Sequence, residues 1–595
     1  MPLALKNLHR TDSTSFGYLV EFDVNVPLRT AKPNTTDDPL ILRANVYRPK
    51  AEGRYPVLVT CGPYGKDIPY HQFHEESFSL VNPKQKSPHS AWEVPDPGYW
   101  TSQGYAVVRA DERGTGNSPG KLDSLGPTVW DGFADLIEWA ADQPWSNGKI
   151  GLLGISYYAA SQWSVAARQP RGLSCMIPWE GMTDYYRDRA RHGGIMSNRF
   201  IQYVYNRQVA SSQYGLPGKA ERHWGPDTFE GSLPAEELAA NRADQHEDAA
   251  RYRFRDEPYY QERDFDLSKV QVPLLSGVNW GAIHLHLRGS VLGYLGASSQ
   301  FKYLYFLTGR HDLPFFYDEH VELQRSFLDA CLKGEDREGW LVPGKVPPVN
   351  LCVRRGNPGY SNPGAERQVF PRRMEQEWPL ARTQYMDYHL QGDGILGLDK
   401  PVKEARVGWE ALDAGSSARF KTKPADKETE ITGHPWARLS VAASPSNGST
   451  PSEIDLFLTL RHYDSVNQEI FYTGATGDAV PVVRGWLRVS LRKTASSSGP
   501  LGAIMPERNY YSTEVQEVVP GEVYTVDVEI WPTSVVLLPG ETLELQVSGT
   551  DSDNVGIFGH DHPEDRPKEK LLGYNELHIG PRYENFLRLP IIPEK

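Results

Sequence analysis

A glycine-x-serine at the end of a continuous apolar run is the first feature of this 595-residue sequence that could do covalent chemistry. The stretch is Lys149-Ile150-Gly151-Leu152-Leu153-Gly154-Ile155-Ser156-Tyr157-Tyr158-Ala159-Ala160. Its first half reads as a buried strand and its second half as the start of a helix with small residues. A strand–turn–helix of this kind is the setting of a nucleophile elbow. The turn is tight, so a glycine before the serine removes a clash. The serine hydroxyl is left exposed at the carboxyl end of the sheet, over the N–H groups of the helix N-terminus. The motif departs from Gly-x-Ser-x-Gly, because Tyr158 stands in place of the second glycine. Taken alone, a Gly-x-Ser is often an ordinary turn; the strand, helix and upstream residues make Ser156 the candidate nucleophile.

The flanking elements support that placement. Tyr55–Cys61, Tyr105–Ala110, Lys149–Ile155, Leu173–Trp179, Val270–Val278 and Phe301–Thr308 are short apolar runs, as expected of parallel strands buried on both faces. Trp130, Phe133, Ala134, Ile137 and Ala141 recur at helical spacing, giving one crossover helix its apolar stripe. Strands alternating with helices imply an α/β fold with a βαβ-built sheet. Period-two alternation in Phe16–Val26 and Pro39–Tyr47 predicts strands that precede it. Residues 181–268 break the rhythm and read as a helical cap, with a helix expected over Pro234–Ala250. Beyond the Pro/Gly-rich junction Val342–Pro348, alternating runs at Glu453–Leu460, Val482–Leu491, Val523–Ile530 and Thr542–Val547 predict an all-β jelly-roll sandwich. The expected organisation is hydrolase-type sheet over 1–180 and 269–344, cap over 181–268, and β domain over 345–595.

The sequence resembles the cocaine-esterase and X-prolyl dipeptidyl-aminopeptidase type of α/β-hydrolases, with the related α-amino-acid ester hydrolases. Four motifs carry the resemblance: Pro63-Tyr64-Gly65-Lys66, Arg109-Ala110-Asp111-Glu112-Arg113-Gly114 with Ser118-Pro119-Gly120, the Gly154-Ile155-Ser156-Tyr157 elbow behind Gln143–Lys149, and Gly309-Arg310-His311 after the last sheet strand. The resemblance implies a serine hydrolase that cleaves an ester or amide through an acyl-enzyme on Ser156. It makes His311 the general base, and gives the oxyanion hole to the Tyr64 hydroxyl and the Tyr157 backbone N–H. The Asp111–Arg113 segment reads as an ion-paired turn beneath the elbow.

The acid of the triad is where the sequence departs from the family. The family's aspartate follows the penultimate strand in a Trp-Tyr-Asp segment. Here that segment is Val278-Asn279-Trp280-Gly281-Ala282, and Ala282 holds the aspartate's place. Without an orienting acceptor the histidine loses tautomer control, a penalty of up to ~10⁴ in turnover. Glu180, at the end of the preceding strand, is the expected replacement, with Asp184 and Asn279 as alternatives. Asp312 is poorly directed for the task. Trp179 and Trp280, at strand ends, are expected to line an acyl pocket, and Asp184 to meet substrate, with Asp188 or Glu230 as further carboxylates for a free amine.

Other chemistries find less support. His284-Leu285-His286, His71-Gln72-Phe73-His74 and His560-Asp561-His562 lack the convergent ligands that zinc needs, including Asp551 and Asp553 nearby, so no metal and no cofactor is expected. No phosphate-binding glycine loop occurs. The formal net charge of −13, without a compensating Lys/Arg run, argues against nucleic acid or an anionic membrane as partner. No apolar segment reaches the ~18 residues of a membrane span. The N-terminus lacks a secretory signal pattern and the four cysteines are scattered in apolar runs, pointing to a cytoplasmic protein with free thiols. The sequons at Asn34 and Asn447 decide nothing. The expected partner is a small-molecule or short-peptide acyl substrate, and a homodimer fits the family's habit. Two alternatives stand beside hydrolysis. One is an acyltransferase or cyclising enzyme using the same acyl-enzyme. The other, favoured by Ala282, is an inactive protein whose β domain binds carbohydrate or a partner.

Overall fold

The computed structural model describes residues 3–30, 33, 39–446, 449–496, 501–552 and 555–594. Asn34, Asn447 and Asp553 lie outside them.

The first sheet has eleven strands: β1 Arg10–Asp12, β2 Leu19–Pro27, β3 Ile41–Arg48, β4 Tyr55–Gly62, β5 Ala106–Asp111, β6 Ser146–Ile155, β7 Leu173–Trp179, β8 Leu274–Asn279, β9 Lys302–Leu307, β10 Val349–Cys352 and β11 Arg372–Glu375. Their order is β1-β2-β3-β5-β4-β6-β7-β8-β9-β10-β11. The run from β5 through β10 is parallel, and β1–β3 and β11 add antiparallel edges. Every position of β5 and of β8 is buried, which is why these segments read as unbroken apolar runs with no alternation. The crossover helix α1, Pro127–Ala141, starts on a proline that cannot donate and buries the stripe of Trp130, Phe133 and Ile137. Strands β10 and β11 fall beyond residue 345, so the sheet draws its last edge from the segment that opens the C-terminal part.

Residues 181–268 fold as short pieces, among them Tyr185–Ala190, Asn198–Val204, Ala235–Ala240 and Gln245–Arg251. The single helix expected over Pro234–Ala250 is two. The chain leaves the first at Asn241, exchanges backbone hydrogen bonds with Leu122, and restarts where the Asp244 carboxylate accepts from the His246 and Glu247 N–H groups. A side chain that caps so well favours a new N-terminus over continuation.

The C-terminal part is a separate all-β unit built on a sheet of fifteen described strands, including Trp436–Ser444, Asp455–Tyr463, Val483–Arg488, Tyr524–Glu529 and Thr542–Ser548. Most pairings are antiparallel, and Arg354–Arg355 with Thr533–Leu537 is a parallel exception. This unit reaches the mouth of the first sheet: the His311 N–H donates to the Ala475 carbonyl at 2.9 Å. Among the described residues no helix is long and apolar enough to cross a membrane.

Candidate active site

Strand β6 ends at Ile155 and a second helix, α2, runs from Tyr157 to Ala166, so Ser156 is the single residue of the turn. Its φ of 59° lies in the left-handed region, a strained setting for a non-glycine residue. The turn is held from two sides: Ser156 N–H donates to the Trp179 carbonyl at 3.1 Å, and Ile155 N–H to the Glu93 carbonyl at 3.0 Å. A Cβ at position 154 would stand 2.6 Å from the Tyr158 Cβ, which cannot move aside. Tyr158 is tolerated in place of the motif's second glycine because Gly62 leaves room for its ring; a Cβ there would meet that ring at 2.5 Å.

Ser156 opens into a cavity of about 180 Å³. Tyr64, Tyr157, Glu93, His286 and His311 line it from the hydrolase sheet, Met182, Arg189, Phe200 and Val204 from the cap, and Ala475, Asp478, Ile557 and Phe558 from the β unit. The Tyr64 hydroxyl has no hydrogen-bond partner among the described residues. Burial first, and the Glu93 carboxylate second, hold its pKa well above 10, so it stays a donor. The Tyr157 N–H, first of α2, makes no backbone hydrogen bond. The Tyr157 hydroxyl points elsewhere, donating to Glu112, whose carboxyl burial pushes up to about 8. The neighbouring Asp111 accepts from the Lys66 N–H and belongs to a buried group with Lys66, Asp67 and Asp23.

Two stacked imidazoles, His311 and His286, line the cavity with the serine. His311, on the loop after β9, places Nδ1 3.0 Å from Glu180 Oε2 and Nε2 3.0 Å from Glu93 Oε1. Burial alone would depress its imidazolium, but the Glu180 and Glu93 carboxylates outweigh that and push its pKa up to about 10. The two carboxylates favour an imidazolium that donates from both nitrogens, while burial raises the pKa of Glu180 and of Glu93 themselves. The nitrogen facing Ser156 Oγ is instead Nε2 of His286, at 3.3 Å. His286 Nδ1 lies 3.2 Å from the Gly181 carbonyl, which can only accept, so the proton sits on Nδ1 and Nε2 is left as an acceptor. Burial first, and the charge of His311 second, hold the His286 pKa well below 6.5. The two rings are parallel, 4.9 Å apart and tilted by 7°.

The contact expected between Ser156 and His311 is made by His286, while both His311 nitrogens are taken up by carboxyl groups. Glu93 and His286 are the two residues that sequence reasoning did not find for this role. Glu180 touches His311, while Asn279 donates to Glu180 Oε1 at 3.2 Å and to the Gly309 carbonyl, touching no imidazole. Ala282 lines the cavity where the family's aspartate would stand.

The remaining expectations need correction. Trp179 is fully buried on the opposite face of the sheet, against Tyr305, Phe315 and His320. Trp280 is fully buried, stacked on Phe306 at 4.3 Å, with its indole N–H on the Cys352 carbonyl. Neither lines the cavity, because both are packed into hydrophobic cores away from it. Asp184 is committed to Arg187 and Arg255, outside the cavity. Asp188 pairs with Arg288, Glu230 with Arg43, and Asp312 with Arg310. Among the described residues no three His, Cys, Asp or Glu side chains are grouped to hold a metal ion.

Two family models account for most of the chain. Residues 38–310 match the X-Pro dipeptidyl-peptidase (S15) family, and residues 343–588 the X-Pro dipeptidyl-peptidase C-terminal non-catalytic domain. The chain thus joins an S15-type hydrolase region to the matching C-terminal non-catalytic domain, the two-part make-up of X-Pro dipeptidyl-peptidases. It is a serine hydrolase of the α/β-hydrolase fold. The chain is 23% identical over 653 residues to a cocaine esterase from Rhodococcus sp., covering 97% of this chain and 99% of that one. It is 20% identical over 602 residues to a Xaa-Pro dipeptidyl-peptidase from Lacticaseibacillus casei, covering 86% of this chain and 71% of the relative. A crystal structure of a CocE/NonD family hydrolase from Staphylococcus aureus superposes with a TM-score of 0.78 at 27% identity, covering 98% of this chain and 96% of that one.

Proposed function

We propose that this S15-type chain cleaves a small ester or amide through an acyl-enzyme on Ser156, with His286 as the base that activates it. The observation that carries the reading is the 3.3 Å approach of a neutral, correctly tautomerised His286 Nε2 to Ser156 Oγ in the cavity. As Oγ bonds to the substrate carbonyl carbon, its proton passes to His286 Nε2 and the carbonyl electrons move onto oxygen. The Tyr64 hydroxyl and the Tyr157 N–H are the two donors free to receive that oxyanion. Collapse expels the alcohol or amine, which takes the proton from His286, and water repeats the sequence to release the acid. Glu180 and Glu93 flank His311, so His286 becomes protonated beside an imidazole whose charge has carboxyl partners, not beside a bare cation.

A second reading keeps Ser156 and makes His311 the base once Glu93 releases it. One observation favours it: among the described residues Glu180 is the only carboxylate hydrogen-bonded to the Nδ1 of a cavity-lining imidazole, the place a triad acid takes.

A fluorophosphonate probe is expected to label the chain once, on the peptide holding Ser156, as read by mass spectrometry. A label elsewhere, or none, would sink both readings. Tyr64→Phe is expected to lower kcat/KM by roughly 10²–10³ with the fold intact, the usual cost of one oxyanion donor. A change below threefold would remove Tyr64 from the hole.

A further inference from the structure

Among the described residues Arg189 presents the cavity with a guanidinium that has no ion-pair partner. It sits in the cap segment Tyr185–Ala190, is 5% exposed, and lines the same cavity as Ser156. Its polar contact is a single hydrogen bond from Nη2 to the amide oxygen of Gln245 at 2.9 Å. Its Nε is buried with no partner. Among the described residues no carboxylate lies within ion-pair distance of it. Its neighbours differ: Arg187 pairs with Asp184, Arg191 with Asp565, Arg263 with Asp123, and the cavity's other guanidinium, Arg310, with Asp312 and Glu76. The rings of Tyr185 and Phe200 lie 5.9 and 5.6 Å from the guanidinium carbon, which supports a cation but neutralises nothing.

Burying an ion without a counter-ion is costly, and proteins leave one so where a ligand supplies the missing charge. A guanidinium is also the group best shaped to take a carboxylate through two parallel hydrogen bonds. Arg189, Ser156, Tyr64 and His286 line one cavity, so a group bound to the guanidinium shares that cavity with the reacting carbonyl. The wall around it, Met182, Phe200, Val204 and Leu285, is apolar and suits a short hydrocarbon spacer.

We propose that Arg189 binds a carboxylate carried by the substrate, so that the enzyme's substrates are monoesters or monoamides of dicarboxylic acids, with the free acid a few bonds from the scissile carbonyl. Which bond is cut rests on the Ser156 reading; the anion preference does not. The test uses ketones that cannot be hydrolysed: 4-oxo-4-phenylbutanoate against its neutral counterpart 1-phenylbutan-1-one, titrated calorimetrically into the full chain. The keto acid is expected to bind at least about tenfold more tightly, a difference of roughly 1.4 kcal/mol. Arg189→Gln should reduce the ratio to within about twofold, and Arg189→Lys should retain part of it, as a point charge without the fork. Equal affinities in the wild type, no measurable binding of the keto acid, or an Arg189→Gln variant that weakens both ketones alike would overturn the proposal. Fluorophosphonate labelling separates the two ideas. A keto-acid preference without Ser156 labelling would overturn only the mechanism, and labelling without the preference only the anion site.

Discussion

Ser156→Ala is expected to lower kcat by roughly 10⁶ on every ester or amide that the wild type cleaves, the loss seen when a serine nucleophile is removed from a complete site. The measurement is single-turnover and steady-state kinetics on the purified variant, with KM and melting temperature beside them. The size of the effect follows from the cavity's inventory. No cysteine lines it: Cys61, Cys175, Cys331 and Cys352 are all buried elsewhere, and burial raises the thiols of Cys61 and Cys175 well above 9. What survives the substitution is the pair of oxyanion donors and the binding wall, which can supply ~10³–10⁴ over water and no covalent route. The fold should not register the change. Among the described residues the Ser156 side chain makes one hydrogen bond, to His286, and the backbone that places it is fixed through main-chain bonds to Trp179 and Glu93. Retention of more than about a hundredth of wild-type kcat would mean that water, not Ser156, attacks the carbonyl.

The sheet was legible because its chemistry is local. Parallel strands buried on both faces must be apolar along their length, and all six runs picked out on that ground are strands of the first sheet. Glu180 could be singled out because a carboxylate immediately beyond a buried strand has few structural reasons to be there. The same reasoning should have excluded Trp179. Successive side chains on a strand face opposite ways, so if Glu180 faces the site its predecessor faces the core. Glu93 carried no such signal. It lies in an irregular stretch between Pro83–Gln85 and Pro97–Ser102, and meets His311 across 218 positions. Spacing cannot announce a contact of that kind. His286 was visible but weighed only as half of a metal-binding pair with His284. The signal that would have separated them is the turn itself. The chain runs from β8 into the helix Leu287–Gly296, and a residue at the start of a helix beside a strand's carboxyl end faces the crevice where ligands bind. His284, two residues earlier, stacks on Phe558 of the β unit instead.

The pH dependence of kcat/KM assigns the base. His286 must be neutral to accept the Ser156 proton, so activity is lost as pH falls through its pKa. Burial has pushed that pKa well below 6.5, which places the acid limb below pH 6.5 with a plateau above it. His311 predicts the opposite placement. Its pKa is pushed up to about 10, so as the base it would leave the enzyme nearly inactive at neutral pH and rising tenfold per unit toward pH 10. The mutants follow the same division. His286→Ala is expected to lower kcat/KM by roughly 10⁴–10⁶ and, because base and nucleophile act as one unit, to add little to Ser156→Ala in the double variant. His311→Ala removes a charged group wedged between two buried carboxylates, so it is expected to lower activity less and stability more, with the acid limb shifted to higher pH as His286 loses a neighbouring cation. A profile that climbs between pH 8 and 10, with His286→Ala retaining a tenth or more of wild-type kcat/KM, would transfer the base to His311 and leave Glu93 as the residue that must let it go.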